Sequence, residues 1–288
     1  YFCSGDPDSL DGVAVPHAGL LILDGTAPHI VDPEIPGARD SIINLGECLD
    51  EPAMRPRLPH IRACMADHAA CSRRARACMA AAAALARDNA ATLHAATDEA
   101  RLCAMTQALV QAVLAREAPK EVAPGVRPVI TDAITPKGEI SLISENAQPR
   151  VIRLMFHWGM DGTAVLRRLS AAVQAAGYSV EEHLCPIVPG RLLHLTIPAL
   201  ATLVTTGEQL AAEQSFDFAA CIPQGALLRH ECALEQGRAG IRLHLHRASA
   251  ALAQAKQLHD ELESFYVPNM DFEKWQTMLD QTLESLKN

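Results

Sequence analysis

The second half of the chain alternates buried-strand and amphipathic-helix patterns. Residues 150–157 contain the run VIRLMF, which is apolar except for Arg153, and apolar runs of about four to eight residues suit strands buried on both faces, as in parallel α/β sheets. After a Gly-containing loop, apolar residues recur at helical spacing over residues 163–176, and Gly177 is a natural helix stop. A second strand is predicted over residues 178–185. This order is a βαβ unit, whose crossover we expect to be right-handed.

Two segments, residues 3–25 and 185–207, match at a fixed offset of 182 residues. The shared positions include a Cys, two Pro and a Gly, namely Cys3/Cys185, Pro7/Pro189, Leu10/Leu192, Pro16/Pro198, Leu21/Leu203 and Gly25/Gly207. Each segment predicts a stretch ending at Cys, a loop, a short β-type run, a Pro turn and an apolar strand. Coincidence is the alternative, because many offsets are available, but preserved Cys, Pro and Gly spacing favours an internal repeat.

The repeat predicts what should precede its first copy. The second copy follows a strand that begins at residue 150, so the matching strand would begin at 150 − 182 = −32. We therefore expect that about 30 residues, holding a first strand, loop and helix, are absent from this sequence.

Helix-forming residues dominate from Pro59 to about Arg116, where two or three helices are predicted with a break at Asp88–Asn89. The composition changes over residues 119–128, which we interpret as a linker. The predicted organisation is therefore a first unit over residues 1–120 and a second over residues 121–288.

The C-terminal part predicts two further helices. The first covers residues 239–266 and ends before Pro268, since proline interrupts a helix. The second covers residues 272–286 and is capped by Asp271.

Composition and charge exclude several classes of protein. The 288 residues are 49% hydrophobic and 20% charged, which is typical of one large or two medium globular domains. The net charge of −9 and the single basic cluster, Arg73, Arg74 and Arg76, argue against nucleic acid as a partner. No uncharged apolar run approaches the roughly 20 residues of a membrane span, so no membrane partner is expected.

The nine cysteines predict reduced thiols in a cytoplasmic protein, because their number is odd and no CxxC pair occurs. His60, Cys64, His68 and Cys71 share one predicted helix face, and such side chains can bind zinc. Over a helix these four would span about 16 Å, which is too far for one tetrahedral site. Small thiols packed in an Ala-rich helix are the favoured interpretation.

The loop between the predicted strand and helix lies where a phosphate-binding loop, GxxxxGK[ST], would open a βαβ unit. Thr163 fits the Ser/Thr position and Gly159 fits an internal glycine, whereas Phe156, Asp161 and Gly162 stand where the first Gly, the second Gly and the Lys belong. None of the five lysines follows a glycine, so no intact loop exists elsewhere. Gly159, Gly162 and Thr163 are candidate nucleotide-binding residues, and a turn that binds nothing is the favoured alternative.

The first copy carries the acidic residues that the second lacks. Its apolar strand ends in Asp24, and such an acid commonly holds Mg²⁺ in P-loop NTPases, whereas the second copy has Thr206 there. Asp6, Asp8 and Asp11 crowd its first loop. We predict that Asp24 is catalytic and metal-holding and that Asp6 and Asp8 contribute to binding. The alternatives are a turn residue at a strand end and a solvated acidic turn.

Several longer strings are distinctive, namely CSGDPDSLDGV (3–13), DGTAPHIVDPEIPGA (24–38), IINLGE (42–47), AITPKG (133–138) and HDELESFYVPNMDFEK (259–274). Together they resemble a bacterial family of uncharacterised tandem P-loop proteins described as ATPase or nucleotide kinase-like. The resemblance spans nearly the whole chain and implies two P-loop units, ATP and Mg²⁺ as cofactors, and Asp24 as the metal-holding acid. It also implies that Thr26, His29 and Lys137 are motif residues, which we group with the nucleotide-binding candidates.

The expected fold is therefore α/β, with tandem P-loop NTPase-like parallel sheets and helical segments after each unit. The expected function is ATP binding and hydrolysis or nucleotide kinase-like phosphoryl transfer that depends on an upstream phosphate loop. The alternative is a non-catalytic scaffold or regulator on a degenerate P-loop fold, since fold alone does not decide between them.

Overall fold

The computed structural model describes residues 1–26, 30–144 and 148–286. The chain folds as two compact units: unit 1 comprises residues 1–74 and 250–288, and unit 2 comprises residues 75–249. This division differs from the expected boundary near residue 120, because the C-terminal residues fold together with the N-terminal segment.

The helices and strands are numbered here in chain order. They are β1 (Gly12–Val15), β2 (Leu20–Leu23), α1 (Glu51–Met54), α2 (Leu58–Ala95), α3 (Glu99–Leu114), β3 (Val126–Val129), β4 (Asp132–Thr135), β5 (Gly138–Ser141), β6 (Arg150–Met155), α4 (Thr163–Ala175), β7 (Val180–Leu184), β8 (Leu192–Ile197), β9 (Thr202–Thr205), β10 (Gln214–Asp217), α5 (Gln224–Tyr266) and α6 (Phe272–Ser285). The fold is mixed α/β, and the predicted strand and helix at the start of the βαβ unit are confirmed. None of the helices in the described ranges combines the length and the hydropathy of a bilayer crossing.

The main sheet of unit 2 has six strands in the order β10-β6-β9-β8-β7-β3. β8 runs antiparallel to both of its neighbours, and the other pairings are parallel. The expectation of purely parallel sheets is therefore wrong. The reason is the short connection at Pro198–Leu200, because a parallel neighbour needs a crossover of about a dozen residues and a short turn can only reverse the chain.

The core of unit 2 lies between this sheet and the helices α3 and α4. The apolar face of α4 packs on the central strands, with side chains that are almost completely buried, including Leu166, Leu169, Val173, Leu195, Ile197 and Val204. Burial of this face stabilises the helix, since most helical stability in proteins comes from packing of an amphipathic face.

The two segments that match in sequence also share their backbone pairing. Adding 182 to each residue number turns the pairing of β1 with β2 into that of β8 with β9, from Gly12–Leu23 to His194–Thr205. Four backbone hydrogen bonds of the loops also recur at the same offset. In the first copy they run from Cys3 N to Ser9 O, Ser9 N to Asp6 O, Gly19 N to Pro16 O and Asp24 N to Asp11 O. In the second copy they run, in the same order, from Cys185 N to Arg191 O, Arg191 N to Val188 O, Ala201 N to Pro198 O and Thr206 N to Leu193 O. In unit 1 the two strands form an antiparallel hairpin rather than part of a parallel sheet.

Three boundaries differ from the sequence-based expectation. α2 continues through Asp88–Asn89 and ends at Ala95, and the next helix begins where the Asp98 carboxylate accepts the N–H of Arg101 at 3.0 Å. Residues 119–128 are not wholly a linker, since β3 begins at Val126 and pairs with β7. β3 is an edge strand of the six, where its proline, Pro128, is tolerated. α5 begins at Gln224, well before residue 239.

Candidate functional site

The loop between β6 and α4 is shaped by its glycines. Gly159 has φ 91°, in the left-handed region that favours glycine. Gly162 is the N-cap of α4, and a Cβ there would lie 2.5 Å from the ring of Phe156. That ring stacks on Phe218 with centroids 5.0 Å apart. A lysine side chain at position 162 would therefore clash with a ring that is anchored in the core.

The carboxylate of Asp161 is the polar centre of this loop. Its Oδ1 accepts the backbone N–H of Thr163 at 2.9 Å and the Thr163 hydroxyl at 2.5 Å. Its Oδ2 accepts Nε–H of Arg191 at 3.1 Å. Burial raises the pKa of Asp161, but the Thr163 hydrogen bonds and the Arg191 charge outweigh burial and hold the pKa below its ordinary value. The side chain is therefore a carboxylate at neutral pH.

At the N-terminus of α4, Asp161 contacts groups that can also bind an anion. A helix N-terminus, a hydroxyl and a guanidinium together form an anion-binding set. Here the protein's own carboxylate binds all three groups. The Thr163 hydroxyl also accepts the N–H of Leu192 at 3.0 Å, which joins the loop to β8.

A cleft of about 590 Å³ lies beside this loop and is lined by apolar and polar side chains, among them His94, Thr106, Met160, Arg167 and Arg168. Its size falls in the range of small-molecule pockets, which is about 300–1,000 Å³. The guanidinium of Arg167 donates to the carboxylate of Glu182, which is almost completely buried, at 2.9 Å. That arginine is therefore already committed to neutralising a buried acid.

The predicted acidic residues of the first copy all lie in unit 1. Asp24 follows β2, and its Oδ1 accepts the backbone N–H of Thr26 at 2.9 Å and the Thr26 hydroxyl at 2.7 Å. Asp6 accepts the Ser9 hydroxyl at 2.9 Å and pairs with Lys256 at 3.3 Å. The Ser9 hydrogen bond, followed by the Lys256 interactions, lowers the pKa of Asp6.

The other predicted residues are divided between the two units. Asp8 is exposed in the loop that precedes β1. Gly159, Gly162 and Thr163 lie together in unit 2, whereas Lys137 lies in the β4–β5 turn of the same unit, where its backbone N–H donates to the Thr135 hydroxyl at 3.1 Å. His29 lies outside the described residues.

The sequence analysis missed a buried polar network on the sheet face opposite α4. His183 on β7 and His194 on β8 face each other across the strands, with ring centroids 5.9 Å apart. Nδ1 of His183 lies 3.1 Å from the hydroxyl of Thr131, and its Nε2 lies 2.9 Å from the hydroxyl of Thr196. The available signal was that these two histidines occupy consecutive predicted strands.

The hydroxyl protons determine the tautomer of His183. Thr131 donates its one hydroxyl proton to Asp132 at 2.9 Å, so it must accept from Nδ1–H of His183. Nε2 then accepts from Thr196. Burial, together with the nearby His194, lowers the pKa of His183 to about 4, so the ring is neutral at pH 7.

A carboxylate–imidazole–hydroxyl chain crosses the same face. Asp132 Oδ2 lies 3.6 Å from Nε2 of His194, and Nδ1 of His194 lies 2.7 Å from the hydroxyl of Thr205. Burial raises the pKa of Asp132, but interactions with His194, Ser141 and Thr131 outweigh it and hold the pKa below its ordinary value. The groups match those of a nucleophilic triad. Thr205 is only 1% exposed, so its hydroxyl is buried in the sheet, and this row of hydrogen-bonding groups stabilises the packing of β8 and β9.

The cysteine–histidine face of α2 is engaged in packing. The Cys64 thiol donates to the backbone oxygen of Leu258 at 3.1 Å, and the His68 ring lies 6.5 Å from that of His259. Among residues 1–26, 30–144 and 148–286, no group of three or more His, Cys, Asp or Glu side chains has the geometry to hold a metal ion.

Comparison with known proteins gives no relative. No protein-family model, no curated protein and no solved structure matches the chain.

Proposed function

We propose that this chain is a tandem P-loop-type protein in which unit 2 is a non-catalytic scaffold or regulatory module. The observation that carries the proposal is the Asp161 carboxylate, which binds the N-terminus of α4, the Thr163 hydroxyl and Arg191. A phosphate at this position would meet a negative charge and would have to displace three existing interactions. ATP does not fit this loop, so no catalytic step is assigned to unit 2.

The residues at the two glycine positions and at the lysine position of the loop also disfavour phosphate binding. A phosphate-binding loop needs glycine where the backbone approaches the phosphate and lysine to reach the terminal phosphates. Phe156 instead fills the space beside Gly162. The loop has the strand–turn–helix order of a phosphate-binding loop but lacks its lysine and two of its glycines.

A second function, ATP and Mg²⁺ chemistry at unit 1, is favoured by the position of Asp24 in the repeat. Its counterpart in unit 2, Thr206, directly follows β9, the strand that pairs with β6. An acid at the end of the strand beside the phosphate-loop strand is where a P-loop enzyme holds water-bound Mg²⁺. Asp24 and Thr26 offer suitable oxygens.

The residues of unit 1 that are described do not complete a phosphate site. Lys256 pairs with Asp6 and Asp260, and Lys274 donates to the backbone oxygen of Glu47 at 2.7 Å. We therefore propose that phosphoryl transfer at Asp24 requires a phosphate loop from outside residues 1–288. The cytoplasm, where Mg-ATP is abundant, is the proposed location.

Removal of the internal carboxylate tests the proposal for unit 2. The Asp161→Gly chain should gain affinity for inorganic phosphate, because the Thr163 N–H and hydroxyl and the Arg191 guanidinium lose their anion. Thermal unfolding with increasing phosphate should raise the Tm of this variant but not that of the unsubstituted chain, since a ligand that binds only the folded state stabilises it.

Two further chains identify the groups responsible. Adding Arg191→Gln to Asp161→Gly should abolish the increase of Tm with phosphate. The Asp161→Glu variant, which keeps the negative charge, should show no such increase. The proposal is wrong if the unsubstituted chain is stabilised by phosphate as strongly as the glycine variant.

A further inference from the structure

The β1–β2 hairpin of unit 1 exposes an unusual amount of apolar surface. Val13 is 44% exposed, and Leu21, Ile22 and Leu23 on β2 are 54%, 43% and 42% exposed. Single exposed apolar residues are common, but contiguous ones mark interaction sites. An isolated two-stranded hairpin is also marginally stable in water.

The same hairpin in unit 2 is completely covered. Leu195, Leu203 and Val204, the counterparts of Val13, Leu21 and Ile22, are each 0% exposed. Their cover is visible: β6 pairs in parallel with the outer edge of β9, and α4 packs on the face that carries Leu195 and Val204.

Unit 1 keeps the apolar positions but lacks the cover. Val13, Val15 and Ile22 stand where unit 2 has Leu195, Ile197 and Val204, so the face has similar composition and volume. Within the described residues, the sheet of unit 1 consists of β1 and β2 alone. The outer edge of β2 is then an unpaired strand edge, which natural proteins normally cover, charge or shorten.

We propose that this hairpin binds a strand–loop–helix segment of polypeptide from outside residues 1–288, in the arrangement that β6 and α4 adopt in unit 2. The strand pairs in parallel with β2 along Leu20–Leu23, and the following helix covers Val13, Val15 and Ile22. This inference concerns a polypeptide partner and does not depend on nucleotide binding by either unit.

The repeat favours this occupant over a second copy of the chain. Two copies that paired through their β2 edges would satisfy the backbone edges but would bring no helix to the apolar face. A strand–loop–helix segment covers the edge and the face together, as the internal copy demonstrates.

A peptide probe tests the proposal on the full chain. A fluorescein-labelled synthetic peptide with the sequence of residues 148–177, which holds β6 and α4, should bind the 288-residue chain saturably in anisotropy measurements. Hydrogen exchange of the amides of Leu20–Leu23 should slow when the peptide is bound, because a second strand then pairs with β2.

Matched isoleucine variants locate the binding surface. Ile22→Lys should weaken peptide binding about tenfold or more, because the helix would bury a charge, whereas Ile42→Lys, at an exposed site of unit 1 outside the hairpin, should leave it unchanged. Both sites are exposed, so circular dichroism should report an unchanged fold.

Absence of saturable binding, or equal binding by the Ile22→Lys chain, would overturn the proposal. So would a dimer in sedimentation velocity that Ile22→Lys converts to monomer, since a second copy would then be the occupant.

Discussion

At the scale of single residues, the two copies of the repeat agree in a backbone angle that the sequence conceals. The residue after the Pro turn is left-handed in both, with φ 61° at Gly19 and φ 46° at Ala201. Both N–H groups donate to the carbonyl of the proline three residues before, at 3.1 and 2.9 Å. The second copy therefore keeps the turn although it has lost the glycine that suits it.

Exchanging glycine and alanine at positions 19 and 201 should change the free energy of unfolding in opposite directions. Ala201→Gly should raise the free energy of unfolding by about 1 kcal/mol, because the strain of a Cβ at positive φ disappears. Gly19→Ala should lower it by a similar amount, since a Cβ at Gly19 meets no atom within 4 Å and only the backbone conformation matters. Urea unfolding of the two variants measures both. Effects of the same sign would contradict the equivalence of the turns.

The buried His183 predicts a dependence of stability on pH. Its pKa is lowered to about 4 in the folded protein, against about 6.5 in the unfolded chain. Between these values the unfolded state binds more protons, so the free energy of unfolding falls as the pH falls from about 6.5 to 4. The contribution lost between pH 7 and 4.5 should be about 2 kcal/mol.

The His183→Gln chain is the control for this effect, because the amide can donate to Thr131 and accept from Thr196 without titrating. Urea unfolding at pH 7 and pH 4.5 should show a smaller loss for this variant than for the unsubstituted chain. Equal losses would mean that other groups carry the pH dependence.

At the scale of elements, α2 and α5 approach closely within unit 2 at a glycine. A Cβ on Gly237 would lie 2.5 Å from Oδ1 of Asn89, whose side chain is 3% exposed. The sequence predicts a helix break at Asn89, but in the structure α2 continues through this residue, whose side chain is buried against α5. The contact could not be predicted, because it depends on a residue about 150 positions away.

Gly237→Ala should therefore lower the free energy of unfolding by about 1–3 kcal/mol through overpacking, although alanine is normally the better helix former. Gly225→Ala, in the same helix with no atom within 4 Å, is the control and should be neutral or slightly stabilising. Denaturant unfolding distinguishes the two sites. Stabilisation by both substitutions would contradict the close packing.

The sequence predicts local elements well and pairing direction poorly. The run of residues 150–155, the helix that starts at Thr163 and the offset of 182 residues are local patterns, and all three are present. The antiparallel direction of β8 was missed, because apolar residues in a predicted strand indicate burial and not direction. Part of the loop around Asp161 could be predicted. The sequence alone shows that the lysine of a phosphate-binding loop is missing, whereas the contact between Asp161 and Arg191 depends on the folded loop.

At the scale of the whole molecule, one motif is used twice with different surroundings. In unit 2 it is covered by β6 and α4, and the loop between them carries Asp161. In unit 1 it carries Asp24 and an apolar surface. We propose that the two units differ in function because of these surroundings, since the backbone pairing of the hairpin is the same in both.

The central proposal is that the loop of unit 2 resembles a phosphate site in which the carboxylate of Asp161 takes the place of the ligand. Calorimetric titration of Mg-ATP into the 288-residue chain tests it most directly. The account predicts no saturable heat of binding, because neither unit offers a phosphate-loop lysine within the described residues. Binding with a micromolar Kd that persists in the Asp24→Asn chain and is lost in the Thr163→Ala chain would contradict it.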